Sequence, residues 1–227
     1  MMSICDFPAN RVLSSSGALY IFTGGMKGRK TAKFLHFFDG LKYADVDYQL
    51  FKPECDYRKE LHEKYGIPRH HIVSRTGQNL PGIEIDDKGD LSDLEEKIDL
   101  EKRVFGFDEF HLYQDANKLK NVLLGLRYDH NKTVVVAGLD RYFNGESIPC
   151  MAELMAHSTV IEKTFGSCDL NGCSSQGELS QRLVNGEPAN YDDPPIVVGA
   201  SEAYETRCSN HHIVPGKTER KILPPSQ

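Results

Sequence analysis

The chain has 227 residues, 39% hydrophobic and 26% charged, with a net charge of −6 and a pI near 5.8. This is the composition of an ordinary globular protein, with room for one large domain and a small appendage. It lacks the basic stripe that a duplex-binding surface needs, and no run approaches the roughly 18 apolar residues of a membrane span.

Residues 1–16, with no basic start followed by an apolar run, read as a flexible lead-in rather than a secretion signal, so a cytoplasmic location is expected. Ala18 to Phe22 is an apolar run of strand formers that stops at Thr23-Gly24-Gly25. From Lys30, the spacing of Phe34, Leu35 and Phe38 predicts a helix. A second strand is read at Val46–Phe51. The acidic and basic stretch 84–102 reads as a solvated helix or loop. Val104–Phe107 predicts a buried strand that ends in Asp108-Glu109. Leu119, Val122, Leu123 and Leu126 mark another helix, and Val134–Ala137 an interior strand. Strands separated by helices predict an α/β fold, a parallel sheet with helices on both faces. Beyond about residue 160, Gly, Ser, Asn, Pro and paired cysteines take over, with one strand left at Ile196–Val198. The division expected is therefore 17–160 for the α/β domain, 161–216 for a small second unit, and 217–227 for a flexible tail.

Three motifs carry chemistry. Gly24-Gly25-Met26-Lys27-Gly28-Arg29-Lys30-Thr31 stands between the first strand and first helix, where a G-x-x-x-x-G-K-[ST] loop cradles phosphate with backbone N–H groups and the helix N-terminus. Lys30 would reach the terminal phosphates and the Thr31 hydroxyl would bind magnesium. The glycine before the lysine is replaced by Arg29, with Gly28 one place early. If that position needs positive φ, Arg29 costs roughly 1–2 kcal/mol and is expected to handicap phosphate binding. The alternative is that Gly28 has taken over the special angle. Next, Asp108 at a strand end can hold magnesium, and Glu109 can act as a general base. Last, Cys168-x-x-x-x-Cys173 and Cys208-x-x-His211 form two half-sites suited to a structural zinc, with His212 a competing fourth ligand. Cys5, Cys55 and Cys150 receive no role.

Taken in order, these segments resemble the thymidine kinase family in its zinc-containing form. The resemblance is carried by the altered loop at 24–31, Lys52 to Arg58, Val73 to Gly77, Phe107 to Leu112, Val135 to Asp140 with Phe143, and Gln181 to Cys208. It implies ATP-dependent phosphorylation of thymidine or a related deoxynucleoside, with Glu109 taking the proton from the 5′-hydroxyl. By the same resemblance, residues 24–31 with Arg75 would hold ATP, with Arg182 aligned near the phosphates. Thr31 and Asp108 would hold Mg2+, and Cys168, Cys173, Cys208 and His211 would hold Zn2+. Met26, Leu112, Leu139, Phe143, Ile196, Val197, Val198, Gly199 and Tyr204 would line the nucleoside pocket, and the assembly would be a homotetramer. The chain departs from the family at Phe110-His111-Leu112, where Ala-Gln-Phe is usual, and at Arg141-Tyr142. With Arg29, these departures leave a weakened or inactive nucleotide-binding protein as the alternative reading.

Overall fold

The computed structural model describes residues 17–89, 91–196 and 204–218. Its centre is a sheet of six parallel strands: β1 (Leu19–Gly24), β2 (Tyr48–Pro53), β5 (Ile83–Ile85), β6 (Val104–Phe107), β7 (Thr133–Gly138) and β8 (Val160–Thr164). The order is β5-β2-β6-β7-β1-β8, which places β1 between β7 and β8. Successive side chains alternate between the faces. Leu19 and Ile21 of β1 and Val134 and Val136 of β7 enter one apolar cluster. Tyr20 and Phe22, with Val135 and Ala137, enter the other. Burial on both faces explains why these strands read as continuous apolar runs.

Helix α1 (Lys30–Tyr43) covers the second face with Phe34, Leu35, Phe38 and Leu41, residues spaced to share one helical stripe. Helices α4 (Ala116–Tyr128) and α5 (Pro149–Ala156) cover the first through Leu119, Leu123, Leu126, Met151 and Leu154. Asp115 caps α4, its carboxylate accepting from the Lys118 amide at 2.9 Å, and Pro149 starts α5, where no amide donor is needed. Two short helices, α2 (Lys59–Tyr65) and α3 (Ser92–Lys97), and an antiparallel pair, β3 (His71–Val73) with β4 (Asn79–Pro81), fill the crossover between β2 and β6.

β8 belongs to the large sheet, so the change of architecture falls after Thr164 rather than at residue 160. From Phe165 onward the strands among the described residues are antiparallel, and all but one have two to four residues. β9 (Gly166–Ser167) pairs with β10 (Gln176–Gly177), and β11 (Leu179–Val184) lies between β12 (Glu187–Pro188) and β13 (Tyr204–Arg207). The expected strand at Ile196–Val198 falls largely outside the described residues; Ile196 itself is in no strand.

Candidate functional site

The site gathers where β1, β2 and β6 end and α1 begins. Gly24 leaves β1 at φ 129°, and a Cβ there would lie 2.0 Å from the Thr164 carbonyl oxygen, so only glycine fits. The left-handed angle before the helix falls on Arg29, at φ 64° and ψ 20°. Gly28 has not taken it over. Glycine is needed at 28 for a different reason: a Cβ would sit 2.9 Å from Thr164 Oγ1 and 3.0 Å from the Gly25 carbonyl oxygen. The Arg29 side chain points to the surface. Lys30 is buried and donates to the Gly25 carbonyl oxygen at 2.7 Å. Burial lowers the pKa of its ammonium, while Glu109 and Asp108 hold it up.

Asp108 emerges from β6, its amide donating to the Phe51 carbonyl oxygen at 3.0 Å. Its Oδ1 accepts from the Thr31 hydroxyl at 3.4 Å, and its Oδ2 is buried without a hydrogen-bond partner. Burial first, then the neighbouring Glu109 charge, pushes the Asp108 carboxyl up to about 8. A buried oxygen with no donor, in a carboxyl beside two others, fits a divalent cation that would replace the missing partner. Asp56, Asp108 and Glu109 bring carboxylate oxygens within 4.8 Å of one another.

Glu109 sits at φ 48°, a strained angle for a non-glycine residue. Arg58 holds this corner together. Its Nε donates to Asp56 at 3.0 Å, one terminal nitrogen to the Val73 carbonyl oxygen at 3.0 Å, and the other to Glu109 Oε1. Burial opposes ionisation of Glu109, but Arg58 outweighs it and keeps the carboxyl well below the usual range. His111 Nδ1 lies 3.5 Å from Glu109 Oε2 and accepts from the Leu139 amide at 3.3 Å. Burial draws its pKa down to about 4, so the ring is neutral near pH 7 and its contact with Glu109 is not an ion pair.

The second cluster lies in the antiparallel segment. Cys168, Cys173, Cys208 and His211 place their ligand atoms within 4.8 Å of one another. His211 Nδ1 is 3.3 Å from Cys208 Sγ and 3.7 Å from Cys168 Sγ. His212 turns away, Nε2 lying 2.8 Å from the Phe143 carbonyl oxygen. Burial would raise the Cys168 thiol, yet the backbone donors of Cys208 and Leu170 pull it down to about 6, toward the thiolate that binds metal. Three sulfurs and one imidazole are a donor set that fits zinc.

The fold thus brings Gly24, Gly25, Gly28, Lys30, Thr31, Asp108 and Glu109 to one place. Met26 joins them through the antiparallel segment, its amide donating to Ser180 Oγ at 3.0 Å. Leu112 and Leu139 are half-buried beside His111. Phe143 is buried beneath the Arg182 guanidinium, 5.5 Å away, and Arg182 also donates to the Pro194 carbonyl oxygen at 2.6 Å. Tyr204 pairs with Arg182 between β13 and β11, Ile196 is half-buried, and Arg75 is exposed after β3. Val197, Val198 and Gly199 lie outside the described residues. A cavity of about 430 Å³ lined by Arg141, Leu179, His212 and Lys217 includes none of the predicted nucleoside residues. Sequence reasoning gave Asp56 and Arg58 no role, although both fall inside a motif that it quoted. It also missed the links from Asp169, Ser180 and Thr206 to the loop, for which no sequence signal exists.

Among known proteins, the thymidine kinase family model matches residues 17–212. The thymidine kinase of Ureaplasma urealyticum serovar 10 is 33% identical over 204 residues, covering 88% of this chain and 85% of that protein. That of Coprothermobacter proteolyticus is 32% identical over 207 residues, covering 91% and 96%. That of Ureaplasma parvum serovar 3 is 30% identical over 204 residues, covering 88% and 85%.

Proposed function

The chain belongs to the thymidine kinase family, and from that premise we propose that it transfers the γ-phosphoryl group of ATP to the 5′-hydroxyl of thymidine. The observation that carries the proposal is the meeting of Thr31 and Asp108 at the head of α1, with Lys30 and Glu109 beside them. Lys30 and the amides of Gly24–Thr31 would hold the phosphates. Thr31 and the unpartnered Asp108 oxygen would hold magnesium, which when bound neutralises charge on the β- and γ-phosphates. Glu109 would orient the acceptor hydroxyl and take its proton. Because Arg58 keeps this carboxylate ionised, it is ready to accept, though weakly basic until the acceptor displaces part of that contact.

The segment after Thr164 would act as a lid. Zinc held by Cys168, Cys173, Cys208 and His211 would staple it, because the segment has few buried apolar side chains of its own. Closure matters because water at the site would divert ATP to hydrolysis. Met26, Leu112, Leu139, Phe143 and Tyr204, with residues 196–199, would face the nucleoside. Assembly as a homotetramer in the cytoplasm belongs to the same proposal, and light scattering checks the tetramer.

A binding protein without turnover is the competing reading, favoured by the hold of Arg58 on Glu109. An ADP-release assay across thymidine, deoxyuridine and the other deoxynucleosides separates the two. Nucleoside-dependent ADP formation, greatest with thymidine, supports the proposal. ATP binding with no nucleoside-dependent turnover overturns it.

A further inference from the structure

The loop between β1 and α1 carries two non-glycine residues in the left-handed region, Lys27 at φ 57° and Arg29 at φ 64°. Such angles persist only where surrounding structure over-determines them. Here much of that structure comes from the antiparallel segment. The Met26 amide donates to Ser180 Oγ at 3.0 Å, and the Met26 carbonyl oxygen accepts from Thr206 Oγ1 at 3.1 Å. Lys27 Nζ meets Asp169 Oδ2 at 2.5 Å, and the same oxygen accepts from the Thr206 amide at 2.7 Å. The Asp169 amide in turn donates to the Thr206 carbonyl oxygen at 2.7 Å. Asp169 directly follows Cys168, and β13, which carries Thr206, leads straight into Cys208. Two of the three partners of the loop, Asp169 and Thr206, therefore sit one or two residues from cysteines that would hold the metal.

We propose that Asp169 is a positioning residue for nucleotide: by joining Lys27 to Thr206 it carries the order of the Cys168–Cys173–Cys208–His211 cluster into the shape of the phosphate loop. Nucleotide affinity is thereby coupled to the metal cluster. The inference rests on reading Gly24–Thr31 as the ATP phosphate loop. A single half-exposed Lys–Asp pair contributes little by itself. Asp169 differs because one oxygen serves two donors on opposite sides of the junction. Its loss removes the side-chain link between Lys27 and the Thr206 amide in one step, leaving only the Thr206 Oγ1 contact to Met26 between Thr206 and the loop.

The test is calorimetric titration of ADP into the metal-loaded full chain, with zinc measured on the same samples. Wild type, Asp169→Asn, Lys27→Met and the double variant are compared. Each single variant weakens ADP binding by about threefold, and the double variant is no weaker than the worse single, because both cut one linkage. For Asp169→Asn, KM for ATP rises while kcat and zinc content hold. Unchanged ADP affinity in Asp169→Asn overturns the proposal. So does additive loss in the double variant, which would make Lys27 a direct phosphate ligand. If Asp169→Asn is not recovered folded, Lys27→Met decides, since its side chain is partly exposed and lies outside both apolar clusters, and unchanged affinity overturns the coupling. Removing the metal from wild type with chelator weakens ADP binding more than Asp169→Asn does; unaltered affinity after metal loss also overturns it. Wild-type protein that fails to bind ADP refutes the phosphate-loop reading instead.

Discussion

Replacing Arg29 by glycine isolates the cost of the altered loop. Arg29 holds φ 64° and ψ 20° at the start of α1 and gives the helix no side-chain cap. Relief of that angle is worth about 1–2 kcal/mol. Glycine gives back about 0.4–1 kcal/mol through the greater freedom of the unfolded chain. The net gain is on the order of 1 kcal/mol, or about 2–4 °C in Tm for a chain of this size. The handicap expected from the sequence therefore lands on stability. Strain that is equal with and without nucleotide cancels from the binding equilibrium, and loss of one exposed charge changes ADP affinity by about threefold at most. Thermal melts and ADP titration of wild type and Arg29→Gly provide the assay. A lower Tm would refute the strain argument. ADP binding weakened by more than about tenfold would show Arg29 to be a phosphate ligand in its own right.

Glu109→Gln lowers kcat by about 10²–10⁴-fold and leaves ADP affinity within a few-fold; near-normal turnover would place the base elsewhere. Protein purified without chelator holds one zinc per chain by elemental analysis, and less than a third of that in folded protein contradicts the donor set. Cys208→Ala exposes the segment after Thr164 to protease while the six-stranded sheet stays folded, because the sheet has its own buried clusters. Asp108→Asn removes turnover yet stabilises the magnesium-free protein at pH 9. The raised Asp108 pKa means that folding favours the protonated form, so wild-type stability falls as pH rises from the ordinary carboxylate range through about 8. The Tm advantage of the variant is therefore larger at pH 9 than at pH 5, and an equal advantage at both would refute the assignment.

The central strands and long helices were legible because burial on both sheet faces leaves uninterrupted apolar runs, as in Leu19–Phe22 and Val134–Ala137. β3, β4 and β5 were not, since three-residue strands carry too few side chains for a period to show, and Pro81 argues against a strand. β8 escaped because it is an edge strand whose Val160, Glu162 and Lys163 face partly to solvent. At the site, Lys30 and Thr31 were readable because they close a glycine-rich loop at the start of α1, and Asp108 and Glu109 because they directly follow the end of β6. Arg58 was not, since its partners Val73 and Glu109 lie 15 and 51 positions away. The sequence posed Arg29 and Gly28 as rivals for one backbone angle. The geometry separates them, giving the angle to Arg29 and the tight space to Gly28.

The placement of β8 bears on how the protein is made. The Thr164 hydroxyl donates to the Thr23 carbonyl oxygen from 141 positions further along the chain, and its backbone walls in Gly24. A nascent chain emerging from the ribosome can pair β1 with β7 once residue 138 is free, but the turn after Gly24 then has no wall to press against. That wall arrives with β8, and the struts to Met26 and Lys27 only with Ser180, Asp169 and Thr206. The loop after β1 is thus made well before the residues that fix it and is among the last parts to set. A release product that stops between residues 138 and 160 would carry most of the sheet and every residue of the loop, yet be unable to hold the loop's shape.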